Sequence, residues 1–210
     1  MRRGEGQGEP TTRTRGRYDR EEKKRKRKET VAIGTWNIRD GRGGGIESAC
    51  RALEASNVDV CVMQESKIVG NIYTRLSAGY SVVCSKAGSS HQGGVALCHR
   101  ENENFEVEEH RFHGPNVVSF RLIIGGEGWY CIGGYIPPSE KSEETLDQLR
   151  GAVGHRPKGF RLVVMGDFNV DLATPRDSRE DGVAEQCDEW GLGCMSTHFA
   201  QRKSRRSNGR

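Results

Sequence analysis

The chain has 210 residues, 30% charged and 33% hydrophobic, with a formal net charge of +4 at neutral pH, and that length allows one domain of ordinary size or little more. The charge is uneven: residues 1–29 hold 12 Lys/Arg and 6 Asp/Glu, residues 201–210 hold 5 basic and no acidic residues, and 30–200 are left with 16 basic and 23 acidic. No apolar run approaches the roughly 20 residues of a membrane helix and none follows the N-terminal charges, so membrane and secreted classes are not expected and an intracellular protein is.

Between Arg2 and Glu29 the only large apolar side chain is Tyr18. Residues 1–29 therefore have too little to bury and are expected to form a disordered basic tail. Lys23 to Lys28 are six consecutive basic residues. Two readings of them stand side by side: a nuclear-import signal or nucleic-acid-binding arm, with a nuclear location, and a solvated tail that keeps the chain soluble. The domain is expected over 30–200, with a second basic tail at 201–210.

Val31 to Ile38 is a short β-prone run, followed by a loop with Gly41, Gly43, Gly44 and Gly45. Ile46, Ala49, Cys50 and Leu53 then recur at i, i+3, i+4 and i+7, the apolar stripe of a helix that Asn57 closes. Val58 to Glu65 is nearly continuous in apolar residues, as a strand buried on both faces would be. Strand, helix and strand within about 35 residues predict a βαβ unit with parallel strands.

The middle of the chain predicts strands at Tyr80–Cys84, Gly94–His99, Phe105–Glu108, Val117–Ile124 and Trp129–Tyr135, joined by short Gly-bearing loops typical of antiparallel hairpins. Ser142, followed by Glu143 and Glu144, opens a helix with Leu146, Leu149 and Val153 inward. Arg161 to Asp167 reads as another buried strand, and a last helix is expected from Asp181 to Trp190. Trp36 and Trp129 read as core residues, and His91, His99, His110, His113 and His155 as surface residues. The seven cysteines form no Cys-x-x-Cys pair and mostly lie in apolar runs, so they are expected to be reduced, buried small hydrophobes.

Polar residues follow the apolar runs directly at Asn37, at Gln64-Glu65 and at Asp167-Phe168-Asn169, and a fourth run ends at Gly133-Gly134-Tyr135. Sites in α/β sheets collect at the carboxyl ends of strands. Asn37, Glu65, Tyr135, Asp167 and Asn169 are therefore expected to meet in one cleft. Two carboxylates with amide partners, and no Cys or His cluster, suit a hard cation such as Mg²⁺, and such an ion suits phosphate-ester chemistry.

Thr35-Trp36-Asn37-Ile38, Val62-Met63-Gln64-Glu65-Ser66, Gly93-Gly94-Val95-Ala96-Leu97, Tyr135-Ile136-Pro137-Pro138 and Gly166-Asp167-Phe168-Asn169 occur in that order. Together they resemble the endonuclease/exonuclease/phosphatase family over about residues 30–200. Within it the sequence is similar to the endonuclease domains of LINE-type, non-LTR retrotransposons and to apurinic endonucleases. The resemblance implies a four-layered αββα sandwich, two mixed sheets flanked by helices. It also implies a metal-dependent phosphodiesterase that nicks DNA by its phosphate backbone, with Mg²⁺ (or Mn²⁺) and no small-molecule cofactor. By that resemblance Glu65 is the metal ligand assisted by Asn37, and Asp167 positions or activates the attacking water. Asn169 and Tyr135 contact the scissile phosphate.

The family closes its site with a downstream Ser-Asp-His motif and carries an Asp-Tyr pair before it. Neither follows Asn169 in this sequence, whose only later histidine is His198. His198 is expected to be a loop or core residue rather than the missing base. The chain accordingly reads as a fragment that lacks the last strands, with impaired or no activity of its own. Two alternatives are a non-catalytic or binding-only remnant, and a phosphatase of small phosphorylated molecules or phosphoinositides.

Overall fold

The structure, a computed structural model, describes residues 30–70, 72–75, 79–88, 93–101, 104–138 and 142–195, with the backbone alone at 72–75 and 142. Both basic tails, the Lys23–Lys28 run, His91 and His198 lie outside the described residues. Among the described residues nine strands and three helices follow in order: β1 Ile33–Asn37, α1 Gly45–Ala55, β2 Val60–Gln64, β3 Ile72–Arg75, β4 Tyr80–Cys84, β5 Val95–Arg100, β6 Phe105–Gly114, β7 Val117–Ile124, β8 Glu127–Tyr135, α2 Ser142–Gly154, β9 Arg161–Asp167 and α3 Ser178–Glu189. None of these helices is long and apolar enough to cross a membrane.

The strands form a five-stranded sheet in the order β1-β2-β5-β4-β3 and a four-stranded sheet in the order β6-β7-β8-β9. Both are mixed. β1 pairs with β2 in parallel, and β8 with β9, while the remaining pairs are antiparallel. The expected βαβ unit is present. Its second strand is buried at every position, because one face meets α1 and the other meets the opposing sheet.

Three apolar layers result. Val60, Val62, Val95, Leu97, Val118, Phe120, Leu122 and Cys131 fill the space between the sheets. Ala49, Cys50 and Leu53 of α1 pack on Cys61, Met63, Val82 and Cys98 on the outer face of the larger sheet. Leu146, Leu149 and Ala152 of α2, with Val183 of α3, pack on Val117, Tyr130 and Ile132 on the outer face of the smaller one. This is the αββα sandwich. At Gly133 the two sheets approach closely: a Cβ there would penetrate the Val62 side chain. Leaving it out brings the end of β8 against the end of β2.

Several boundaries differ from expectation. β3 has four residues at a sheet edge, too few and too polar in context to show a period. β6 runs past Glu108 to Gly114 through a register shift, with Glu109 at φ +41. The expected strand ends at Glu108 because the polar residues Glu109–Arg111 break its apolar pattern, which an edge strand tolerates on its open side. α3 begins three residues earlier than Asp181, because the Asp177 carboxylate caps it by accepting from the backbone N–H groups of Arg179 and Glu180. Trp36 is a correction: it lies 41% exposed, because β1 is an edge strand paired only with β2. Trp129 is half-buried, with the Arg161 guanidinium 5.0 Å from its ring centroid. His99 and His113 are also half-buried, and burial lowers the pKa of both, that of His113 to about 4.

Candidate active site

β1, β2, β8 and β9 all end on the same side of the sandwich, two from each sheet. The parallel registers make this so: Asn37 sits opposite Gln64 at the end of β1 and β2, and Tyr135 opposite Asp167 at the end of β8 and β9. The sequence leads to the expectation that these strand ends meet in one cleft, without saying which sheet carries each. The structure brings them together from two.

Gln64 points away from this meeting place. Its Nε2 donates to Thr35 Oγ1 at 2.8 Å and to the Val62 carbonyl at 2.9 Å, so it ties β2 to β1 from a fully buried position. The next residue, Glu65, leaves the strand with φ +54, a left-handed turn that costs a non-glycine residue roughly 1–2 kcal/mol. Its carboxylate thereby joins the other strand ends. Asn37 Nδ2 donates to Glu65 Oε1 at 2.7 Å and to Asp167 Oδ2 at 2.9 Å, bridging the two sheets with one amide. The Tyr135 hydroxyl donates to the same Glu65 oxygen at 3.2 Å.

Each of these groups is held from behind. Asn37 Oδ1 accepts from the Arg39 backbone N–H at 3.0 Å. Its oxygen is thus engaged, and its amide faces the carboxylates nitrogen-first, as a spacer between them. Asp167 follows Gly166, where any Cβ would collide with the Gly134 backbone of β8. Only glycine lets β9 lie close enough to present Asp167 there. The Asn169 backbone N–H donates to Asp167 Oδ1 at 3.3 Å, and its Nδ2 donates to the Ile136 carbonyl at 3.0 Å. Asn169 also has a left-handed backbone, φ +49, and Arg179 of α3 donates to its carbonyl at 2.9 Å.

Two basic residues at the site escaped sequence reasoning. Lys67, φ +55, places Nζ 3.6 Å from Glu65 Oε2, the oxygen that Asn37 and Tyr135 leave free. Arg179 locks the Asn169 turn. The only signal for Lys67 was its place two residues after Glu65, and Arg179 sits on a helix whose start was misplaced. Nearby, Asp40 accepts from Arg42 through both carboxylate oxygens, at 2.6 to 3.2 Å. That pairing holds the Asp40 carboxyl well below the usual range. Tyr135 is buried, and burial, together with the Glu65 charge and hydrogen bond, pushes its hydroxyl up to about 12. It is a proton donor at any physiological pH.

The donor chemistry fits a hard divalent cation. Glu65 and Asp167 offer carboxylate oxygens within reach of one amide, and no thiol or imidazole among the described residues shares a hydrogen bond with them. Mg²⁺ is commonly held by one or two carboxylates and several waters. Among the described residues no group of three or more His, Cys, Asp or Glu converges on a point, so the protein's share of such a site would be these two groups.

Comparison with known proteins gives the family and the fold. The family model described as "Endonuclease/Exonuclease/phosphatase family" matches residues 34–207. No curated protein matches the chain. Among solved structures, the endonuclease domain of TRAS1, a telomere-specific non-LTR retrotransposon, is similar with a TM-score of 0.59 and 17% identity, over 79% of this chain and 73% of that one. The apurinic endonuclease LMAP from Leishmania major is similar with a TM-score of 0.54 and 16% identity, over 74% of this chain and 65% of that one.

Proposed function

Because the chain belongs to the endonuclease/exonuclease/phosphatase family, we propose that its site is that of an Mg²⁺-dependent phosphodiesterase acting on DNA, of the kind carried by non-LTR retrotransposons. The observation that carries this reading is the single amide of Asn37, which joins Glu65 of one sheet to Asp167 of the other beside the Tyr135 hydroxyl. Hydrolysis of a phosphodiester requires a water held in line, donors on the phosphate and compensation of the charge that grows there. Asp167 has one oxygen fixed by Asn37 and one by the Asn169 N–H, which leaves its remaining lone pairs to hold a water and take its proton. Tyr135 keeps its O–H and supplies a donor to a phosphate oxygen. Asn169 stands at the same edge, its turn pinned by Arg179. A divalent cation at Glu65 and Asp167 would supply the positive charge that two carboxylates facing a phosphate lack. Asn37 keeps those carboxylates at a set spacing while Lys67 offsets part of their charge.

A second reading, binding without cleavage, is favoured by one observation. Among the described residues no histidine shares a hydrogen bond with Asp167, whose partners are Asn37 and Asn169. Loss of general acid–base help alone is worth about 10²–10⁴ in rate. Residues 1–210 by themselves are therefore expected not to nick DNA. The test is a plasmid-nicking assay with Mg²⁺ on this chain and on a version extended by the C-terminal segment of a family member. Nicking is expected from the extended form only, and Asp167→Ala should abolish it. Nicking by residues 1–210 that is lost on His198→Ala would instead make His198 the catalytic base.

A further inference from the structure

The outer layer of the larger sheet contains four buried thiols: Cys50 on α1, Cys61 on β2, Cys84 on β4 and Cys98 on β5. One pair stands apart. Cys50 Sγ and Cys98 Sγ are 3.3 Å from each other, and both residues are 0% exposed. Cys61 is the direct cross-strand partner of Cys98, yet among the described residues the thiol in contact with Cys98 is that of the helix.

We propose that Cys50 and Cys98 form a reversible disulfide that fastens α1 to the centre of the larger sheet. Three features of the fold favour it. The sulfurs must close from 3.3 Å to the bonded distance of about 2.05 Å, a movement of roughly 1 Å that side-chain rotation and a small helix shift can share. β5 is hydrogen-bonded on both sides, to β2 and β4, so one partner is held still. α1 is the less firmly anchored partner. Its N-cap is Gly44, which offers no side-chain cap, and its last turn carries no basic residue to balance its carbonyls. The thiols are also unequal in acidity. The hydrogen bond between them lowers the pKa of Cys50, and the same bond together with burial raises that of Cys98, so Cys50 is the better nucleophile.

Complete burial selects the oxidant. A bulky disulfide such as glutathione cannot approach either sulfur, whereas hydrogen peroxide can when the helix opens. The Cys50 thiolate takes one peroxide oxygen to give a sulfenic acid, and the other oxygen leaves as water. Cys98 then attacks that sulfur, the S–S bond forms and a second water leaves. Two thiols and one peroxide become one disulfide and two waters. The bond would close a loop across 48 positions. It would also steady the loop before α1, where the Gly41 N–H donates to the carbonyl of Ser66, the neighbour of Glu65.

The test treats the purified chain with hydrogen peroxide under native conditions, alkylates it in denaturant and digests it with trypsin. The peptide Gly43–Arg51 is expected to appear linked to Ala87–Arg100, with both free alkylated forms lost, while Ala52–Lys67 and Leu76–Lys86 stay alkylated and unlinked. The thermal midpoint should rise by on the order of 10 °C and return on addition of dithiothreitol. Cys98→Ala should remove both the link and the shift. Full recovery of Gly43–Arg51 and Ala87–Arg100 as separate alkylated peptides would overturn the proposal, and so would a Cys61–Cys98 link in their place. Both results are read on the parent chain and do not depend on a variant folding.

Discussion

Asn37 has the most consequential side chain in the structure, because one nitrogen serves carboxylates from two sheets. Replacing it with a third carboxylate removes two charge-assisted hydrogen bonds, worth about 1.5–3 kcal/mol each where desolvated, and adds like-charge repulsion. Asn37→Asp should therefore lower stability at pH 7 by about 2–4 kcal/mol after allowance for partial exposure. Mg²⁺ should recover part of the loss, and adding Glu65→Gln should cancel that recovery. Urea unfolding with and without Mg²⁺ reads both effects, and a variant as stable as the parent would show that the bridge carries little energy. Asn37, Glu65, Tyr135, Asp167 and Asn169 were legible in the sequence because each lies at or just past the end of an apolar run. The left-handed turn at Glu65 was not. Nothing in Gln64-Glu65-Ser66 announces it, since it arises where β2 must stop short to let its carboxylate face β9.

The elements differ in how far sequence alone defines them. Arg161–Asp167 matched its expected limits residue for residue, yet it is an edge strand with only Met165 buried rather than the buried strand expected; its apolar run stays legible because Val163 and Met165 face the opposing sheet and Leu162 and Val164 face the helices. Short or polar edge strands leave no such run, which is why β3 was missed and β6 was cut short. The β6–α2 junction carries a pH dependence of its own. His113 bonds Ser119 Oγ at 2.8 Å and lies 5.4 Å, ring to ring, from His155. Burial, then the nearby charges of His155 and Arg111, lowers its pKa to about 4. A depressed folded-state pKa contributes stability that is whole above the ordinary value near 6.5 and is lost as pH falls towards 4. Unfolding free energy should thus decline over that interval, and His113→Gln should flatten the decline. An identical slope in parent and variant would place the sensitivity elsewhere.

At the scale of the whole sandwich, β1 and β9 are each paired on one side only, and they pack against one another across the two sheets. Two unprotected edges therefore lie together, with Trp36 and Ile33 partly exposed beside them. Unpaired strand edges with apolar side chains invite association between copies. Ile33→Lys combined with Trp36→Lys should reduce light scattering at 37 °C several-fold with little change in unfolding midpoint, and undiminished scattering would show that aggregation starts elsewhere. The same stacked edges set a schedule. Asn37 waits for its second partner 130 positions downstream, so a chain that has formed only its first sheet holds Glu65 on an amide with one N–H still unpaired and has neither Tyr135 nor Asp167. On the reading proposed above, such a chain can be synthesised, collapse and half-fold in the presence of nucleic acid without harm, because the ninth strand brings in the last acid. Timing, imposed by topology, would then do the work of an inhibitor.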